Sequence, residues 1–372
     1  MSNDSQYHNG NNDKSIERNA SNDLGQAHGL QDHTLREGHG SLQNPTLDAS
    51  RVAPIDQGRR NLIRLSAAAG LGAALGLGQI GRASAQGSKV VRIGYQKYGT
   101  FVLLKAHGTL EKRLAAQGAT VQWLEFPAGP QLLEGLNAGA IDLGTVGETP
   151  PIFAQAAGVN FVYIGNEPAS PKAEAIVVPA NSPIKTVADL RGKKVALNKG
   201  SNVHYLLVRA LAAANLKYTD IQPIYLAPAD ARAAFEQNNI DAWVIWDPYF
   251  ASIQNAGGKI LIDGTGLVSN LQFYVSSRSY AEQSPALVHA VIDELRELDA
   301  WGKDNPAEVI RVLGPQTGLD PAVLDLAVKR FSYGVQLISP EVVAYQQSIA
   351  DTFTDLKLIP RKLDVKQAQW KA

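Results

Sequence analysis

The residues with the most chemical potential in this 372-residue chain run from Lys199 to His204, Lys-Gly-Ser-Asn-Val-His. They follow an apolar run, Lys194 to Asn198, that reads as a buried strand, and they lead into Tyr205 to Ala214, which reads as a helix. A strand, a Gly turn and a Ser or Asn at a helix start aim several backbone N–H groups at one point, where an anion fits. The same pattern also describes an ordinary capped helix behind a flexible Gly, and the stretch alone leaves both readings open. His204, one turn into the helix, is either a donor to the anion or a packed helix residue. Lys199 and Lys97 are either direct charge partners or solvated lysines.

Composition narrows the classes. Lys and Arg number 35, as do Asp and Glu, so the formal net charge is zero. The balance also holds piecewise, with 8 of each sign up to Ala85 and 27 of each after it. A neutral chain without a basic stripe argues against nucleic acid, whose binding rests on phosphate neutralisation. There is no Cys, which excludes a thiolate nucleophile, a disulfide, a thiolate metal site and the acylated Cys of a bacterial lipoprotein.

Residues 1–58 are rich in Asn, Ser, Gly, His and Gln, without apolar periodicity, and read as a disordered polar leader. The spacing of His8, His28, His33 and His39 is too irregular for a metal tract. Residues 59–85 read as a signal peptide: Arg59-Arg60 of twin-arginine type, a Gly/Ala/Leu run from Leu65 to Ile80, and Ala83-Ser84-Ala85 before a cleavage point. That run is short and poorly apolar for a span needing about 20 residues.

From Lys89 the chain alternates strand, turn and helix, which predicts an α/β fold with parallel sheets covered on both faces. Val90 to Tyr95 reads as a strand and Val102 to Leu114 as one helix. A second series begins near Ala175, Asn270 to Ser276 is extended and can return to the first sheet, and helices follow from Pro285, Pro306, Pro321 and Pro340. The expected lobes are residues 89–174 with 270–372, and residues 175–269, with the ligand in the cleft between them. Open sheets bind ligands beyond the carboxyl ends of their strands. Those ends are Tyr95-Gln96-Lys97, Phe126 to Pro130 and Val146 to Pro151, while in the second series the strand Ala242 to Trp246 ends in Asp247-Pro248-Tyr249. Trp243 and Trp246, three apart on a strand, face opposite sides, so Trp246 is expected in the cleft and Trp243 in the core.

Four strings carry a family resemblance: Phe126 to Gly158, Asn181 to His204, Thr219 to Phe235 and Asp241 to Tyr249. In this order they resemble the periplasmic aliphatic sulfonate-binding proteins of ABC importers, from Val91 to about Trp370. The resemblance implies a two-lobed type II periplasmic binding protein that delivers alkanesulfonates to a membrane permease and its ATPase. It implies a monomer without cofactor or metal. Glu148-Thr149 and Asn202-Val203 stand where a familiar member carries Asp-Ile and Ser-Ser, at the ligand-facing loops.

A sulfonate is fully ionised, offers three acceptor oxygens, and needs N–H and O–H donors rather than unpaired carboxylates. The implied donors are Gly200, Ser201 and Asn202 from the second lobe and Gln96, Gly129, Gly147 and Thr149 from the first, with Pro130 beside Gly129. Trp246, followed by Asp247, would meet the ligand's apolar tail. Glu148 and Asp230 fit a sulfonate badly; they bind a ligand ammonium, bridge the cleft, or cap the helices behind them. The alternatives are a taurine- or nitrate-binding protein of the same fold, and an exported enzyme. Only His107, His204 and His289 follow the signal, and no nucleophile motif accompanies them.

Overall fold

The structure, a computed structural model, describes residues 89–97 and 99–371. The expected leader and export signal lie outside the described residues.

Alternation of short apolar runs with amphipathic ones yields two five-stranded sheets. The first is built from β1 (Lys89–Tyr95), α1 (Thr100–His107), α2 (Thr109–Ala115), β2 (Ala119–Glu125), α3 (Gly129–Asn137), β3 (Leu143–Gly147), α4 (Pro150–Ala156) and β4 (Phe161–Asn166). The chain then crosses into β5 (Glu174–Val178), β6 (Lys194–Leu197), α5 (Asn202–Ala213), β7 (Gln222–Tyr225), α6 (Pro228–Glu236), β8 (Ala242–Trp246), α7 (Tyr249–Asn255) and β9 (Lys259–Asp263). A second crossing enters β10 (Gln272–Ser277), which pairs back into the first sheet. The remainder is helical: α8 (Arg278–Gln283), α9 (Pro285–Asp304), α10 (Pro306–Thr317), α11 (Pro321–Val328) and α12 (Pro340–Asp355). Each of the last four carries Pro in its first turn, where no N–H is needed.

The strand orders are β2-β1-β3-β10-β4 and β7-β6-β8-β5-β9. The expectation of purely parallel sheets is corrected: β10 is antiparallel to β3 and β4, and β5 to β8 and β9. Each crossing leaves the carboxyl end of a strand and enters the other sheet between two strands at their carboxyl ends, so the incoming strand runs backwards. The single helix expected from Val102 to Leu114 is also corrected. Gly108, at φ 64°, closes α1 through its N–H to Leu104 O, and α2 starts anew.

Val91, Ile93, Phe101 and Leu104 pack with Leu110, Leu114 and the buried stripe of α9, Leu287, Val288, Val291 and Leu295. In the second sheet Val177, Ala196 and Trp243 pack on Phe235 and Phe250. A third group joins the two sheets, since Val146 and Ile152 share a cluster with Leu197, Val203 and Phe353. Among the described residues no helix is long and apolar enough to cross a membrane.

Candidate ligand-binding site

A cavity of about 310 Å³ lies where the carboxyl ends of β1, β2 and β3 face the start of α5 and the end of β8. Of the residues expected to bind, Gln96, Lys97, Gly129, Gly147, Asn202, Trp246 and Asp247 line it. The first backbone N–H groups of a helix have no intrahelical acceptor. In α3 these belong to Gly129 and Gln131, with Pro130 between them offering none. In α5 they belong to Asn202 and Val203, because the His204 N–H already bonds Ser201 O at 3.0 Å. The first turn of α4 begins Pro150-Pro151 and has no N–H to give there.

Two glutamines face the cavity with fixed amides. Gln96 Nε2 donates to Thr145 O at 3.1 Å and Gln272 Nε2 to Thr145 Oγ1 at 2.5 Å, which leaves each a second amide hydrogen. Trp246 forms an apolar wall with Phe126, Tyr249 and Phe331, while Trp243 is wholly buried, as the strand period requires.

The other expected residues lie elsewhere. His204 is held behind the turn: its Nδ1 accepts the Gly200 N–H at 3.2 Å and its Nε2 meets Tyr218 Oη at 3.0 Å. The accepting Nδ1 places the ring proton on Nε2. Burial, and then the charge of Lys199, lower the imidazole pKa to about 3 and keep it neutral. Lys199 sits over the Tyr225 ring, 5.3 Å from its centre, outside the cavity. Ser201 turns its hydroxyl to Asn198 O at 2.7 Å, and Gly200, at φ 77°, rests on Phe153. Asp230 is exposed in the first turn of α6. Thr149 and Glu148 are fully buried beneath the cavity rather than on its wall. Glu148 does not cap α4; its Oε2 accepts the Leu271 N–H at 2.9 Å. Half-buried Pro130 stands behind Gly129. Asp247 reaches the wall, but its carboxylate accepts from Ala251 N at 2.9 Å and from Arg330 Nη1 at 3.2 Å. Burial still raises it to about 6 against the Arg330 charge.

The cavity also uses residues the strand-end rule passes over: Asn270 and Gln272 at the start of β10, and Ser170 and Ala173 before β5. Because β5 and β10 run backwards, their amino ends lie at the carboxyl ends of their neighbours. Asn202 ties these segments together, its Nδ2 donating to Glu174 Oε2 and to Asn270 Oδ1 at 3.0 Å. Both hydrogens of its side-chain amide therefore point away from a ligand. Among the described residues no group of three or more His, Asp or Glu is placed to hold a metal ion.

A family model described as the NMT1-like family matches residues 84–313. The chain belongs to the NMT1-like family. Two solved structures are similar over 76% of this chain. The alkanesulfonate-binding protein SsuA from Xanthomonas axonopodis pv. citri, bound to MOPS, shares 44% identity over 98% of its own chain with a TM-score of 0.73. The periplasmic aliphatic sulphonate binding protein SsuA from Escherichia coli shares 49% over 92% with a TM-score of 0.69. The taurine-binding periplasmic protein of Escherichia coli (strain K12) is 28% identical over 56% of this chain and 68% of that protein. This NMT1-like chain thus has the two-lobed type II periplasmic binding protein fold expected from its motifs.

Proposed function

We propose that this protein is the substrate-binding component of an ABC importer, which captures aliphatic sulfonates between two hinged lobes and hands them to a permease and its ATPase. The lobes are residues 89–174 with 270–372, and residues 175–269. The observation that carries this reading is one cavity holding both the N–H groups at the starts of α3 and α5 and the apolar wall of Trp246. Neutral donors suit an anion that stays ionised at every working pH, and an aromatic wall suits an alkyl chain. In this reading the sulfonate sits against the N–H groups of Gly129 and Asn202 and the second amide hydrogens of Gln96 and Gln272. Lys97, exposed on the cavity wall, adds a positive charge. The protein binds rather than transforms its ligand, as the SsuA binding proteins it resembles do. It is exported to the periplasm with cleavage near Ala85 and works as a monomer.

Thermal melts rank the ligands. A ligand at a hundred times its Kd adds about 2.7 kcal/mol to the folded state. Methane-, butane- and octanesulfonate are expected to raise the midpoint; a rise with nitrate or taurine alone refutes the sulfonate reading.

A further inference from the structure

Beneath the cavity lie two carboxyl groups that the anion site does not use. Glu148 follows Gly147 at the end of β3, and Glu174 opens β5 at the first crossing. Both side chains are fully buried. Each has one partnered oxygen: Glu148 Oε2 takes the Leu271 N–H of the second crossing, and Glu174 Oε2 takes the Asn202 amide. The other oxygen of each, Oε1, is buried without a partner. The two groups are near enough that the charge of Glu148 acts on Glu174. Around them stand the Tyr345 hydroxyl of α12, the Asn270 and Leu271 backbone, and Asn202; among the described residues no Lys, Arg or His acts on either carboxyl. Asn202, which holds Glu174, also bonds the Asn270 side chain, next to the Leu271 N–H that Glu148 takes, so both carboxyls belong to one buried hydrogen-bonded network; without a cation their joint ionisation is costly and favours protonated forms.

We propose that Glu148 and Glu174 form a proton-holding pair under the cavity floor, and that the proton Glu148 releases links anion capture to pH. The inference rests on the cavity being an anion site. The two groups act as positioning residues, since Glu174 holds Asn202 and Glu148 holds the Leu271 N–H of the second crossing. Burial raises Glu148 to about 7 and, with the charge of Glu148, lifts Glu174 well above the carboxylate range. As pH rises through about 7 the pair loses the Glu148 proton and gains a negative charge, one residue from Gly147 on the cavity wall, and an anion is repelled. Capture by the same linkage draws a proton onto the pair. A sulfonate does not titrate here, so the coupling belongs to the protein. Asp247, the other buried carboxyl at the cavity, titrates lower, at about 6, and is paired with Arg330.

The test has two parts. Infrared difference spectra of the ligand-free protein, from about pH 5.5 to about pH 8.5, read the protonated carboxyl directly. A band lost near neutrality in the parent and absent in Glu148→Gln is expected; no such band, or one unchanged in the variant, overturns the proposal. Calorimetry with butanesulfonate, in phosphate and Tris rather than sulfonate buffers, should show Kd weakening about three- to tenfold over the same range. That slope should flatten in Glu148→Gln. An unchanged slope in Glu148→Gln overturns the proposal. If butanesulfonate fails to bind at any pH, the functional reading falls and the infrared titration still decides this one.

Discussion

Gly147 and Asn202 touch across the cavity floor: a Cβ built on Gly147 would stand 2.8 Å from the Asn202 Cβ. The first belongs to β3 and the second to the first turn of α5, so the contact joins the two sheets at the ligand site. Gly147→Ala must push α5 away by several tenths of an ångström and with it the Asn202 N–H. The expected result by titration calorimetry is about tenfold weaker sulfonate binding, with a stability loss of about 1–3 kcal/mol from overpacking.

The two tryptophans of β8 should separate cleanly. Trp243→Ala empties a fully buried site and is expected to cost about 3–5 kcal/mol in urea unfolding. Trp246→Ala removes only cavity wall. It should weaken octanesulfonate about tenfold while leaving methanesulfonate nearly unchanged, because only the longer tail reaches the ring.

The neutral state of His204 gives a pH prediction. Its pKa is depressed to about 3 in the folded protein, below the ordinary 6.5. The stability it contributes is therefore present above pH 6.5 and lost as pH falls toward 3. His204→Phe should remove this part of the acid slope in denaturant titrations. At neutral pH it should cost about 1–3 kcal/mol, since the Gly200 N–H and Tyr218 hydroxyl lose their partner.

Asp247 and Arg330 form a buried pair, their side chains 1% and 13% exposed. Arg330→Ala strands the carboxylate and is expected to cost about 3–5 kcal/mol, whereas Asp247→Asn with Arg330→Met should cost much less. Equal losses in the single and double variants, by chemical denaturation, would contradict this account of the pair.

Much of this was legible in residue order. Period-2 alternation separated Trp246 from Trp243, and the carboxyl-end rule located Gln96, Gly129, Gly147 and Asp247. That rule passed over Asn270 and Gln272 because local pattern carries no strand direction, and β10 runs backwards. The Lys199–His204 stretch had the right motif, yet only Asn202 reaches the cavity. Which side of the turn His204 and Lys199 occupy depends on Tyr218 and Tyr225, which are distant in sequence and settle the matter through tertiary contacts. Phe331 comes from the loop after α11, and nothing local marks it as a cavity residue.

The most direct measurement is a crystal structure with octanesulfonate bound. The sulfonate is expected against the Gly129 and Asn202 N–H groups, with the alkyl chain along Trp246. A sulfonate held by Lys97 with its chain turned inward, or a ligand outside this cavity, would contradict this placement.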